Sequence, residues 1–410
     1  MSRPDVKWPL VAACSALMIC EGFDLVVYGN IIPLLLADGG MGIGSSTAGN
    51  VGSLAFLGML FGGVSSGWAN RLLPQRAVIG LGTGCFSAAV LATAACGDVL
   101  AMGVLRFVTG LRLGVVLPTA LSAARKGVRT ESAPLVVSVV MAGIPVGGSL
   151  ASAAVSTFGE AAGWRAPLAA AGLVGFAVLA VSFKALPAGR QAKASGRGAS
   201  AAVRDVLRGS RKWLILFFCL ATFADLASYY GVTTWLTQLM REFDLPMGSS
   251  LQLTLALNVG AIGGSLASSL VAARVGAKRV AIPCGLLAAA CLTGVAARPG
   301  SPIVLALLVI GIGAFAISAQ NLLNTVVSDS FPEDLRSTAL GLTLGVGRLG
   351  AVAAPAVGGA VLELGLGAET VLACFAAASL LGCAALMGGT RRRVDESLGE
   401  QAAVRCGEAS

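Results

Sequence analysis

The amino-acid sequence predicts an all-α membrane protein, with twelve transmembrane helices in two pseudo-symmetric six-helix bundles. Three observations carry this prediction. The chain of 410 residues is 56% hydrophobic and 12% charged, with a mean hydropathy of +0.84, whereas soluble domains are about a quarter charged. Apolar runs of roughly 20 residues, each long enough to cross ~30 Å of hydrocarbon, recur along the chain. The chain also repeats itself. "WANRLLPQRAVI" after the second run parallels "VAARVGAKRVAI" after the eighth, so Arg71, Arg76 and Ile79 match Arg274, Arg279 and Ile282 at one constant offset.

Taken in order, spans at about 9–36, 46–69, 77–96, 99–123, 133–157 and 165–186 build a first bundle within residues 1–186. The first run is too long, and too interrupted by acids, for a cleaved signal peptide, and no A-x-A-like site follows it. Residues 187–212, containing "PAGRQAKASGRGASAAVRDVLRGSRK", are polar, Gly/Ser-rich and basic, and read as a flexible cytoplasmic linker. Spans at about 213–239, 250–272, 280–297, 302–327, 337–361 and 370–389 build a second bundle within 213–393, and 394–410 form a cytoplasmic tail. The 55 glycines suit close helix approach in lipid, and the pairs Gly58/Gly62, Gly110/Gly114, Gly143/Gly147 and Gly260/Gly264 read as packing marks without chemistry. Two six-span halves repeating in parallel are the sign of a transporter whose halves rock around a midplane site.

Charge sets the orientation. Basic residues crowd the loops on the side of the N-terminus (Arg71, Arg76, Arg125, Lys126, Arg129, the linker, Arg274, Lys278, Arg279, Arg336), whereas only Arg165, Arg241 and Arg298 lie in loops on the other side. The positive-inside rule therefore places both termini in the cytoplasm, and the chain is expected in the cytoplasmic (inner) membrane. The net charge of +9 is distributed as this rule demands, which leaves no basis for nucleic acid as a partner. The ten cysteines fall mostly within apolar runs and read as small hydrophobes; with no histidine and no C-x-x-C, no metal, haem or other cofactor is expected. There is no G-x-x-x-x-G-K-[ST] loop for an ATP-driven pump and no nucleophile constellation for an enzyme. The chain is expected to act as a monomer in the bilayer.

The charges that cannot be moved out of the spans are Glu21, Asp24, Arg106, Arg112, Asp225 and Arg348. Each costs at least ~2.5–3.5 kcal/mol at the bilayer centre, so each needs a partner or a wet cavity. At 1.5 Å per residue, Asp24 lies about 18 Å from the outer end of its span, Arg106 about 11 Å in and Arg112 about 20 Å in, so the first and fourth spans can pair their charges. Glu21 and Asp24, at i and i+3, project from nearly one face, with Tyr28 following at i+4. Two close carboxylates in low dielectric suit a proton carrier lining a wetted crevice; equally, they neutralise Arg106 and Arg112 to hold the bundle together. An arginine facing the cavity matches a carboxylate, which makes Arg106, Arg112 and Arg348 anion-binding candidates, with a structural role open for each. Asp225 with Tyr229 echoes Asp24 with Tyr28, making Asp225 a further proton-coupling candidate. Asn258, Gln320, Asn321 and Asn324 are polar cavity candidates or helix bridges, and Tyr229, Tyr230 and Trp235 are candidates to stack on a ring.

These residues resemble the major facilitator superfamily, and within it the aromatic acid:proton symporters, over nearly the whole chain. The first-span motif of that family, an acid, Gly, an aromatic and Asp, reads here Glu21-Gly22-Phe23-Asp24. "RFVTGLRLGVVLP" follows the fourth-span pattern, with Arg106, Phe107, Thr109, Gly110, Gly114 and Pro118. The segments "YYGVTTWLTQLM", "GSSLQLTLALNVGAIGG" and "SAQNLLNTVV" look most like the benzoate-transporting branch. The resemblance implies uptake of benzoate or a close aromatic carboxylate across the cytoplasmic membrane, driven by inward proton flow. Asp24 and Glu21 then belong to the proton and substrate route, and Tyr28 to the substrate site. The family's loop pattern G-x-x-A-D-R-x-G-R-[KR] is broken here: Gly67, Ala69 and Arg71 persist, but Asn70 replaces the acid and Leu73 the glycine, and Ala273 stands at the second acid while Arg274, Gly276 and Lys278 remain. If those acids latch the cytoplasmic side, both latches are lost, unless Glu131, Asp329, Glu333 or Asp334 substitutes. Arg112 replaces a usual glycine and either pairs with Glu21 or adds an anion contact. Two rival readings stay open: a proton-driven exporter of drugs or metabolites, and a non-transporting sensor paralogue.

Overall fold

The computed structural model describes residues 8–126, 133–188, 199–209 and 211–407. Among these it forms helices α1 (Trp8–Ala37), α2 (Ser45–Leu72), α3 (Gln75–Ala95), α4 (Val99–Lys126), α5 (Ala133–Met141), α6 (Gly143–Ala162), α7 (Arg165–Ser182), α8 (Ala199–Val206), α9 (Arg211–Glu242), α10 (Met247–Val275), α11 (Ala277–Ala296), α12 (Pro302–Ser330), α13 (Glu333–Glu363) and α14 (Gly367–Gly407). Twelve segments are long and apolar enough to span a bilayer, with α5 and α6 forming one of them.

The fifth span differs from the continuous run that the sequence predicts, because α5 and α6 meet at Ala142. Pro145 explains the interruption: it has no N–H to return to the Met141 carbonyl, so one rung of the helix is lost. The linker also differs from a wholly flexible tether, since residues 199–206 fold as α8. Val206 is fully buried against Ile215, Phe218, Leu335 and Ala339, which gives this short helix the packing it needs.

The two halves pack alike. In the first, α1 lies against α6, α2 against α4, and α3 against α4 and α7; in the second, α9 lies against α13, α10 against α12, and α11 against α12 and α14. The glycine pairs are the points of closest approach. A Cβ on Gly58 or Gly62 would collide with the α4 backbone at Phe107 and Leu111, and one on Gly260 or Gly264 with α12 at Ile310 and Ala314.

Between the halves, α2 meets α13, α1 meets α9 and α6 meets α10. These contacts gather away from the face that carries the chain termini: Gly29 abuts Thr233 and Thr234, Gly49 abuts Pro355, and Gly359 abuts Ser45. The Ser46 N–H also donates to Glu363 Oε2 at 3.1 Å, so an acid of the second half caps α2, whose own N-cap residue, Gly44, has no side chain to do so. On this distal side a single apolar core takes in Val27, Ile31 and Leu35 together with Leu236, Leu239 and Leu251. On the terminal side the cores are separate: Leu17, Met18, Ile79 and Val116 in the first half, Phe218, Leu323 and Val327 in the second. The halves are thus joined distally and parted towards the termini.

Candidate functional site

The two acids of α1 face α4. Arg106 Nη1 donates to Asp24 Oδ1 at 3.2 Å and to the Asp24 carbonyl at 3.4 Å. Arg112 Nη1 donates to Glu21 Oε1 at 2.9 Å. The side chains are sealed: Glu21 is 0% exposed, Asp24 2%, and Arg106 and Arg112 3% each. An aromatic ring lies against each guanidinium, Tyr28 with its centroid 4.4 Å from Arg106 and Phe86 3.9 Å from Arg112. The Tyr28 hydroxyl donates to the Ala48 carbonyl at 2.7 Å, which pins its ring between α1 and α2. Gly22, between the acids, meets a different neighbour: it is where α6 presses on α1 at Ile144.

In this conformation the acids therefore do not line an open, wetted crevice, as the sequence suggested; each is matched with its own arginine. Matching is incomplete, however. Glu21 Oε2, Asp24 Oδ2 and the Nε and Nη2 of both arginines have no protein hydrogen-bond partner. Each ion pair is a single contact rather than the two-pronged fork an arginine and a carboxylate can form.

Arg348 is placed differently. It lies on α13 at the junction of the halves, half-buried, with Nη1 donating to the Met59 carbonyl at 3.1 Å and the guanidinium above Gly63. Among the described residues no carboxylate pairs with it. Tyr230 is within its electrostatic reach, its ring tilted against Phe56 at 4.8 Å across the junction and edge-on to Tyr229 at 5.3 Å. Phe56, Met59 and Leu113 of the first half and Leu226 and Ala351 of the second close an apolar patch around this point.

The remaining candidates scatter. Asp225 is buried within the second half, its carboxylate against Gly382 of α14. Asn258 is buried at the α6–α10 contact, donating to the Thr254 carbonyl at 2.9 Å with its oxygen against Gly148. Gln320 donates to Asn324 at 3.1 Å on α12, while Asn321 is exposed and bridges to Ser265 of α10 at 3.0 Å. Trp235 is fully buried, its ring N–H on the Pro355 carbonyl at 3.0 Å, so it fastens α9 to α13 within the second half rather than offering a face to a ligand. Asn70 is not a loop residue: it sits in the last turns of α2 and donates to the Ser66 carbonyl at 2.9 Å and to Thr119 at 2.7 Å. Arg71, Arg274 and Lys278 are exposed on the terminal face, as is Glu333. Glu131 lies outside the described residues, as do the side chains of Asp334, Lys126 and Arg129.

A polar chain that sequence reasoning missed crosses between the halves on the distal side. Asn30 Nδ2 donates to Ser152 at 3.1 Å, the Thr237 hydroxyl donates to Asn30 Oδ1 at 2.9 Å, and Thr237 meets Thr254 at 3.0 Å. All four side chains are buried and belong to α1, α6, α9 and α10. Asn30, an amide inside the first span, was the available signal; serine and threonine are silent because they so often bond their own helix. On the same face Asp38 accepts from the Trp164 ring N–H at 2.9 Å and pairs with Arg165 at 3.5 Å. The Trp164 bond, chiefly, and the Gly40 N–H hold its carboxyl below the usual range.

The fold, two six-span halves joined on the distal side, has structural parallels. The nucleoside transporter NupG superposes with a TM-score of 0.75 over 94% of this chain and 99% of that one at 15% identity, and a D-xylose-proton symporter with 0.76 over 92% and 97%, also at 15%. The family model of the Major Facilitator Superfamily matches residues 14–355 and 221–403. The chain belongs to the major facilitator superfamily. Within it, a gentisate transporter of Corynebacterium glutamicum is 33% identical over 379 residues, covering 90% of this chain and 84% of the relative. A gallate transporter of Pseudomonas putida is 28% identical, covering 88% and 87%, and a benzoate transport protein of Acinetobacter baylyi 27%, covering 88% and 84%. The chain is thus a multi-pass membrane transporter of the aromatic acid branch, and not an enzyme.

Proposed function

We propose that this protein takes up benzoate or a closely related aromatic carboxylate across the cytoplasmic membrane, coupled to proton entry. The names of its relatives support the cargo class. Arg348 is the observation that carries the binding mode: a membrane-embedded guanidinium uncommitted to any described carboxylate, beside the rings of Tyr230 and Phe56 at the junction of the halves. It holds the cargo's carboxylate while these rings, with Tyr229 edge-on beside them, take its aromatic face.

The proton route runs through Asp24 and Glu21. A proton on Asp24 cancels its attraction for Arg106 and releases that guanidinium, a change in charge that the packing of α1 on α4 registers at once. Proton and cargo then favour the same conformation, and each tightens the binding of the other. Asp225, the buried carboxylate of the second half among the described residues, is a further carrier on this reading.

Both termini face the cytoplasm. Exposed cations such as Arg71, Arg274 and Lys278 lie on the terminal face, whereas Arg165 and Arg298 on the opposite face are matched by Asp38 and Glu369. With the halves joined distally and parted towards the termini, the conformation described is open inwards.

The test is uptake of labelled benzoate and gentisate by cells producing wild type or Asp24→Asn. Wild type is expected to accumulate one or both, an uncoupler to abolish accumulation, and Asp24→Asn to lose accumulation while still exchanging label against internal cargo. Accumulation that survives the uncoupler, or that Asp24→Asn leaves intact, refutes the proton route. No transport of any aromatic carboxylate refutes the cargo.

A further inference from the structure

The linker's basic run plays no part in the transport site, yet its described portion is folded against the second half. α8 turns Val206 into the core formed with Ile215, Phe218, Leu335 and Ala339, leaving Arg204, Leu207 and Arg208 exposed. Gly209, at φ +63°, then makes a turn that a side chain resists, and the chain enters α9 with Lys212 and Trp213 exposed. Val203, Arg204, Leu207, Arg208, Gly209 and Lys212 enclose a depression of about 660 Å³. Arg204, Arg208 and Lys212 thus converge with no carboxylate on the wall; Asp205, the acid in this stretch, is half-buried and does not line it.

What descends from the depression identifies its occupant. Trp213, Leu216 and Leu220 are 44%, 55% and 39% exposed and, at spacings of three and four, share one face of α9. That face falls about 10 Å into the span at 1.5 Å per residue. A soluble anion needs only the cations; an apolar track leading from them into the bilayer fits a molecule with a charged head and a hydrocarbon tail. Tryptophan at this depth marks the headgroup boundary.

We propose that the depression binds an anionic phospholipid, its phosphate held by Arg204, Arg208 and Lys212 and an acyl chain lying along Trp213, Leu216 and Leu220. α8 rests on the first turns of α13, the helix that also carries Arg348 and meets α2 across the junction. The bound lipid therefore steadies one of the helices that must shift as the halves rock. The site is independent of what the transporter carries.

The full chain is tested in nanodiscs of phosphatidylcholine, alone or doped with phosphatidylglycerol, as wild type and as R204Q/R208Q/K212Q. Each cation beside an anionic headgroup contributes about fivefold in affinity, so the triple variant is expected to hold phosphatidylglycerol about a hundredfold more weakly. Native mass spectrometry reads retention directly, and wild type alone is expected to melt higher in doped discs. Equal retention and equal thermal shifts in the two proteins overturn the proposal, as does an equal shift from inorganic phosphate in discs of phosphatidylcholine alone. If the triple variant fails to fold, Leu216→Ser/Leu220→Ser keeps the cations and removes the track; unchanged phosphatidylglycerol retention then overturns the placement of the tail.

Discussion

Glu21→Gln and Arg112→Met, made singly and together, separate a structural ion pair from a proton carrier. The pair is 2.9 Å apart with both side chains buried. At that separation and an effective dielectric of ~20 the gross attraction is about 6 kcal/mol, which must offset removal of both charges from water. Either single change leaves a sealed, uncompensated charge and is expected to cost about 3–5 kcal/mol. The double variant replaces charge by uncharged groups of similar volume and is expected to fall within about 2 kcal/mol of wild type. A double-mutant cycle on unfolding free energies in mixed micelles should thus give a coupling of at least about 4 kcal/mol. Singles that each cost under ~1 kcal/mol, or a double equal to their sum, would falsify the pairing. Transport then decides the role. A double variant that folds like wild type but no longer accumulates cargo assigns proton carriage to Glu21, whereas one that still accumulates it leaves the pair structural.

Arg348→Gln is expected to raise the half-saturation concentration for benzoate about 10- to 100-fold, the worth of a charge-assisted hydrogen bond, with a smaller effect on maximal rate; an unchanged value removes Arg348 from the binding site. Asn30→Leu combined with Thr237→Val replaces the distal polar chain by apolar packing, so outward opening should slow. Its signature is lower maximal uptake at constant half-saturation and weaker labelling of an outer-face cysteine probe, and stronger labelling contradicts it. Asp38 has its carboxyl held below the usual range, so its contribution to the distal loop is complete above the ordinary carboxylate range and is lost as pH falls through its own lowered value. Wild type and Asp38→Asn should differ in thermal stability at neutral pH and converge as pH falls well below the ordinary carboxylate range; a difference that stays constant through acid titration speaks against it.

The spans and their order were legible because lipid enforces a single criterion, about 20 apolar residues, that single chains display without help from partners. The interruption at Ala142 was legible in principle from Pro145, but a proline in lipid often leaves a helix only bent. α8 was not legible: its eight residues depend on Val206 finding a core built by α9 and α13, which no local pattern records. The charges of α1 and α4 could be paired by depth alone, yet depth does not say that Tyr28 and Phe86 would seal them. Asn70 read as a loop residue because its neighbours are polar and basic, while its bond to Thr119 holds it inside the helical bundle. Arg348 could not be told from a structural arginine, because the distinction rests on which acids are spent elsewhere.

The bond from Ser46 to Glu363 ties the integrity of one helix to the position of the opposite bundle. Swinging the bundles apart on that face strips α2 of its negative terminus-mate, and nothing on Gly44 can take over. The opening stroke therefore does more than slide rigid bodies: it leaves bare amides at the lip of the distal opening, where an anion would find them.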